Sequence, residues 1–221
     1  GGWKECVHST HTWSLTVSRR RQTSERSVAW AGRCVFFFQA EDGIRDVERS
    51  RGLGHVYKRQ QFTAAVAESI VACDINNSTL SQACHKDLPW ERVSLQQADA
   101  YDLKILTGSF SAAMAVDWLA HVPYARMHPF LDGLHAVLNT GARVVFCDQL
   151  PKSEPADGDH DADGNFIVIR QLPDGSRYRV IKHYLSDNQI QDIFGRYDDN
   201  VQITRFPNCR RIIVSYHINN G

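Results

Sequence analysis

SIVACDIN, residues 69–76, sets an unbroken apolar core, Ile70 to Cys73, against a closing aspartate and asparagine. With no polar residue in that core, neither face of such a strand can be left to water. It is therefore expected inside a parallel sheet covered by helices on both sides. The next residues, NSTLSQACHKD (77–87), read as a helix with Asn77 or Ser78 as its N-cap. In front, FTAAVAES (62–69) reads as the later part of a short helix.

The alternation continues downstream. RVSLQQADA (92–100) is a strand, and SFSAAMAVDWLAHV (109–122) starts as a strand and leaves into a loop. A helix runs through MHPFLDGLHAVLN (127–139), with Phe130, Leu131, Leu134, Val137 and Leu138 at core spacing. Asn139-Thr140-Gly141 stops it, and ARVVFCDQ (142–149) is a strongly apolar strand. The polar stretch 151–164 is expected to be a loop. NFIVIRQL and RYRVIKHY flank a Pro173-Asp174-Gly175 turn, SDNQIQDIFGRY is a helix capped by Ser186, and VQITRFP with CRRIIVSYHI forms a closing antiparallel pair. The pattern predicts an α/β, Rossmann-like sheet, mostly parallel with an antiparallel C-terminal edge.

The chain has 25 Lys+Arg and 25 Asp+Glu in 221 residues, and the balance conceals an asymmetry. Residues 1–60 hold 11 basic against 6 acidic groups, and the remainder 14 against 19. A basic leader thus precedes an acidic body, which speaks against a nucleic-acid partner for the body. No run of about 18 apolar residues exists, so no helical membrane span is expected. Cys6, Cys34, Cys73, Cys84, Cys147 and Cys209 form no C-x-x-C pair, and Cys73 and Cys147 sit in apolar runs as small core residues. A reduced, cytoplasmic protein is the expectation; oligomeric state is not legible.

In open α/β sheets, ligands bind beyond the carboxyl ends of the strands. Asp74 and Asp99 close successive strands, and Asp117 with His121 follows the next. An acid ending the second strand of such a unit can accept both ribose hydroxyls of a nucleoside, and one after the third can accept an adenine amine. The alternative is that each acid caps its own turn.

At this point residues 62–218 resemble a class I S-adenosylmethionine-dependent methyltransferase. FTAAVAE is similar to the helix after that family's glycine loop, VACDIN to its acidic second-strand motif and LQQADAYDL to its third-strand adenine motif. FSAAMAVDWLAHVP resembles the fourth-strand segment, and FLDGLHAVLNTGARVVFCDQ the helix, turn and fifth strand, with Asn139-Thr140-Gly141 in place of the commoner x-Pro-Gly. The resemblance implies a seven-stranded sheet with its last strand antiparallel, S-adenosylmethionine as cofactor and a small-molecule acceptor. It also implies roles: Asp74 on the ribose, Ile75 on the adenine face, Asp99 on the adenine amine with Ala100 beside it, and Val116 and Asp117 under the methionine portion. His121 is the candidate base, or else holds its loop by hydrogen bonds. A non-catalytic scaffold and a nucleotide-dependent oxidoreductase are the competing readings.

The family pattern also demands a first strand and a G-x-G-x-G turn. Counting back from Phe62, the glycines should fall near 56, 58 and 60, where the chain has Val56, Lys58 and Gln60. Gly52-Leu53-Gly54 lies several residues early. Residues 36–60 also resemble translated sequencing adapter: QAEDGIRD (39–46) and VYKRQ (56–60) match adapter DNA in order and frame. The expected organisation is a non-native or disordered leader over 1–60 and a methyltransferase domain over 61–221, its first strand and glycine loop missing or replaced. The apolar run VAWAGRCVFFF (28–38) suits the vacant strand position. Activity is expected to be impaired.

No metal site is expected. Asp159-x-Asp161-x-Asp163-Gly164 imitates the start of a calcium loop, but Arg170 stands where its twelfth-position glutamate belongs. Cys6, His8 and His11 lack a second ligand pair. Trp118 lines the site or packs near it.

Overall fold

The computed structural model describes residues 30–38, 67–85, 88–152, 158–171 and 174–219. In chain order the strands are β1 (Trp30–Phe38), β2 (Ala67–Asp74), β3 (Val93–Gln97), β4 (Phe110–Val116), β5 (Leu138–Gln149), β6 (Gly158–His160), β7 (Phe166–Gln171), β8 (Arg177–Ile181), β9 (Gln202–Phe206) and β10 (Arg211–His217). The helices are α1 (Asn77–Cys84), α2 (Tyr124–His135) and α3 (Asp187–Phe194). Seven strands form the main sheet in the order β3-β2-β1-β4-β5-β10-β9. Neighbours from β3 to β5 are parallel, and β10 runs against both β5 and β9.

Period-two alternation sorts each strand between two apolar layers. Val35, Val71, Cys73, Ala113, Val144 and Phe146 face the larger layer, with Phe130 and Leu131 of α2 and Ile190 and Phe194 of α3. Cys34, Ile70, Ala72, Val93 and Ala112 face the smaller one. Burial on both faces is why SIVACDIN carries no alternation of polarity.

The strand position expected to be missing or replaced is filled. β1 lies at the centre of the sheet, with Cys34 and Val35 fully buried and Val35 in register with Val71 on one side and Ala113 on the other. Without it β2 and β4 would face each other across unpaired backbone groups. Arg33 anchors its start: Nη1 donates to the Thr107 carbonyl at 2.8 Å and the guanidinium lies over the Phe110 ring. The end of β1, Phe36 to Phe38, belongs to the adapter-like stretch; residues 39–60, with the expected glycine positions, lie outside the described residues.

Several local expectations are corrected. Residues 62–66 of the expected first helix lie outside the described residues, and Ala67 to Ser69 already belong to β2. The N-cap of α1 is Asn76, whose side chain accepts from the Ser78 N–H at 3.0 Å. α2 starts at Tyr124 and ends at His135, short of Val137 and Leu138. There the Phe110 N–H donates to the Val137 carbonyl and Leu138 pairs with Phe110, so sheet pairing replaces a further helical turn. Asn139, Thr140 and Gly141, expected as the stop of that helix, lie inside β5 where its pairing with β4 shifts register, and Gly141 adopts φ +75 there.

Within the stretch expected as loop, Gly158–His160 forms an exposed edge strand on a second antiparallel sheet, β6-β7-β8. Every residue of β6 is exposed, so no apolar period marked it. α3 has the expected Ser186 cap, completed into a capping box by Gln189.

Candidate functional site

The chain order reverses at β1: β2 and β3 build to one side, β4 and β5 to the other. In sheets of this kind such a reversal is where ligands bind, at the carboxyl ends of the two central strands. β2 delivers Asp74 to this end as a buried carboxylate. Oδ1 accepts from the Asn76 N–H at 2.7 Å, while Oδ2 is buried with no hydrogen-bond partner. Burial pushes the Asp74 pKa up to about 6, against the opposing Asn76 amide. Ile75 follows with its side chain 63% exposed, and its carbonyl accepts from Gln97 Nε2 at 2.9 Å.

The neighbouring strand ends beside them, since the Ala98 N–H donates to the Asp74 carbonyl. Asp99 is exposed and its Oδ1 accepts from the Tyr101 N–H at 2.9 Å; Ala100 is buried. Thus Asp74, Ile75, Asp99 and Ala100 share one end of the sheet. Val116 ends β4, buried, and Asp117 leaves it with φ +54, a conformation costly for a residue with a Cβ. Asp117 is held there by its N–H to the Cys147 carbonyl and by an ion pair with Arg211 of β10. Asp74 and Asp99 each accept from an N–H of their own turn, whereas Asp117 is ion-paired with Arg211; Asp74 alone among the three keeps a buried, unpartnered oxygen.

His121, the candidate base, has both ring nitrogens engaged. Nδ1 donates to the Ile181 carbonyl at 2.7 Å, which leaves Nε2 as acceptor facing Lys182 Nζ at 3.5 Å. Burial, then the Lys182 charge, lower its pKa to about 4. These contacts suit the loop-holding role. They fix the second sheet over the end of β4, together with the His183 N–H on the Ala120 carbonyl and the His183 ring stacked 4.0 Å from Tyr124.

Asn165 completes this docking. Buried to 2% exposure, it accepts from the Tyr124 N–H at 2.9 Å and donates Nδ2 to the Asp161 carboxylate. α2 is thereby capped by a residue from the hairpin between β6 and β7, because Pro123, its own N-cap, has no side chain able to do so. Asp161, read as the middle of a calcium-like run, instead orders this hairpin by also accepting from the Asp163 and Asn165 N–H groups. Trp118 packs against Phe130 at 5.8 Å and Tyr101 at 6.4 Å, and the Arg126 guanidinium covers the Tyr101 ring.

Sequence reasoning missed Asp148, Arg211, Lys182 and Asn165. Asp148 carried a usable signal, since it closes VVFCD just as Asp74 closes IVACD. It is buried; Oδ1 accepts from the Ala120 N–H at 3.2 Å and Oδ2 has no partner. Burial pushes its pKa up to about 6. Asp148 lines a cleft of about 30 Å³ with Leu119, Phe146, Leu150, His183 and Leu185. Arg211 and Lys182 carried no such signal, because only pairing of distant strands brings them here.

Residues 52–141 match the family model described as a methyltransferase domain. The match begins at Gly52, before the boundary expected at residue 61. Among solved structures, the chain is similar to the DhpI-SAH complex, with 18% identity, TM-score 0.63, and coverage of 88% of this chain and 80% of that one. The glycopeptide N-methyltransferase MtfA complexed with (S)-adenosyl-L-methionine matches at 14% identity and TM-score 0.54 over 85% and 87%. The N-methyltransferase NodS from Bradyrhizobium japonicum WM9 matches at 11% identity and TM-score 0.51 over 86% and 88%. No curated protein matches the chain. Among the described residues, no helix is long and apolar enough to cross a membrane.

Proposed function

We infer that this chain, an S-adenosylmethionine-dependent methyltransferase by its domain match and its sheet, methylates a small molecule, with the cofactor across the carboxyl ends of β1, β2 and β4. The observation that carries this is Asp74, a buried carboxylate with an unpartnered oxygen beside the reversal point of the sheet. A ribose diol would supply the hydrogen bonds that oxygen lacks. Ile75, exposed beside it, offers an apolar face to the adenine. Asp99 keeps acceptor capacity for the adenine amine, Ala100 leaves room at its side, and Val116 with Asp117 underlies the methionine portion.

When bound, the cofactor supplies an electrophilic methyl group, so the protein's task is chiefly to align a nucleophile with it. His121, Lys182 and Asn165 contribute by holding the second sheet over the end of β4, and His121 is assigned to positioning. That MtfA is a glycopeptide N-methyltransferase and that DhpI binds S-adenosylhomocysteine support a small-molecule acceptor and this cofactor. The domain is proposed to extend upstream of residue 61, because β1 lies in the sheet and the family match begins at Gly52. Val56, Lys58 and Gln60 stand where glycines would let the backbone approach the cofactor, so binding is expected to be weak.

Calorimetric titration of the 221-residue chain with S-adenosylmethionine and S-adenosylhomocysteine tests this. The expected result is weak binding of both, lost in Asp74→Asn. Tight binding would sink the impairment, and no difference between wild type and Asp74→Asn would sink the assignment of the site.

A further inference from the structure

We propose that the cleft at the carboxyl end of β5 is a subsite for the hydrogen-bond-donating head, a hydroxyl or an amine, of an apolar acceptor molecule, with Asp148 Oδ2 receiving the hydrogen bond. The proposal rests on the methyl-transfer reading and adds the side of the sheet from which the acceptor enters.

Three observations carry it. Asp148 is 7% exposed, and one of its oxygens has no partner although the other is fixed by the Ala120 N–H. A buried acceptor left in this state is costly, and a bound donor relieves it. The cleft it lines is otherwise mostly apolar, walled by Leu119, Phe146, Leu150 and Leu185. This suits a hydrocarbon body behind a polar head. The cleft is small, about 30 Å³, and Asp148 is part of its polar lining, so a compact polar head suits it.

The surrounding charge selects the head's sign. Asp117, Lys182 and Arg211 act on Asp148; Arg211 is paired with Asp117, and Arg205, which lines the cleft, is paired with Asp187. An added carboxylate would meet Asp148 directly, whereas a hydroxyl or ammonium would donate to it. Asp148 lies at the carboxyl end of β5, next to β4 and Asp117, so an acceptor here lies beside the proposed methionine end of the cofactor, not its adenine end.

The test uses the 221-residue chain and three probes: n-butanol, n-butylammonium and butyrate. Each is titrated while the amide resonances of Ala120 and His183 are followed by NMR. The expected result is saturable, millimolar binding of butanol or butylammonium that shifts both amides, with no response to butyrate. Butanol alone would mark a hydroxyl subsite and butylammonium alone an amine subsite. In Asp148→Asn the binding should weaken at least tenfold, since the amide turns a donor towards the head. Should that variant fail to fold, Leu185→Trp, which fills the cleft and keeps the carboxylate, should abolish the binding. The proposal is overturned by silence of both amides with both donor probes, by equal binding of butyrate, or by binding within twofold of wild type in either folded variant. A parallel titration with S-adenosylhomocysteine reports the cofactor site separately, so failure of the cleft and failure of the methyl-transfer reading are distinguishable.

Discussion

Replacing Asn165 with alanine tests how the second sheet is tied to the main one. Asn165 is 2% exposed and satisfies the first backbone N–H of α2 from across a 41-residue separation. Its loss strips α2 of a cap that Pro123 cannot supply, at a cost of about 1 kcal/mol. The emptied amide volume, roughly 30 Å³ at about 24 cal/mol per Å³, adds somewhat under 1 kcal/mol. A total near 1.5–2 kcal/mol is expected, which at a urea m-value of about 2 kcal/mol/M lowers the midpoint by just under 1 M.

Asn165→Asp separates the two hydrogen bonds. It keeps an acceptor for Tyr124 but sets a second carboxylate against Asp161, now 3.0 Å from Nδ2. At pH 7 it should match or exceed the alanine variant in damage, and it should recover as the carboxylate pair takes up a proton in acid. Urea unfolding at pH 7 and near pH 4 measures both. An alanine variant within about 0.5 kcal/mol of wild type, or an aspartate variant indifferent to pH, would refute the reasoning.

Further outcomes can be checked on the same protein. Asp74→Asn should hold or raise the unfolding midpoint at pH 7, since it removes a buried charge whose folded pKa is raised to about 6, while weakening S-adenosylhomocysteine binding at least tenfold by calorimetry. His121→Gln, which can still bridge Ile181 and Lys182, should keep more stability and more methyl-transfer rate than His121→Ala; a true base would lose its rate equally in both. His135, half-buried with Nε2 2.7 Å from the Tyr216 hydroxyl, has its pKa lowered to about 4 mainly by desolvation. Its unfolded value of 6.5 means the unfolded chain takes the proton first, so this contribution is whole above pH 6.5 and is lost as pH falls towards 4. His135→Gln should flatten the acid limb of stability against pH. Asp148 acts oppositely: its folded pKa of about 6 lies above 3.8, so it favours the fold as pH drops through that window, and Asp148→Asn should steepen the acid limb.

The order of residues already dictated the sheet class, because strands buried on both faces must read as unbroken apolar runs and the helices between them must carry caps. It also placed Asp74, Asp99 and Asp117 at strand ends, since an acid can follow such a run only where the strand leaves the core. The central strand was expected to be missing or replaced: VAWAGRCVFFF is apolar in either setting, and only pairing with Ile70 to Cys73 and with Ala112 to Val116 decides its place. β6 was illegible because an exposed edge strand has no apolar period. Asp117 with Arg211, His121 with Lys182 and Tyr124 with Asn165 stand 94, 61 and 41 residues apart. No local pattern couples residues at such separations. Only the antiparallel return of β10 and the docking of the second sheet bring them together, and with them the one buried acid, Asp148, that the strand-end argument should have included.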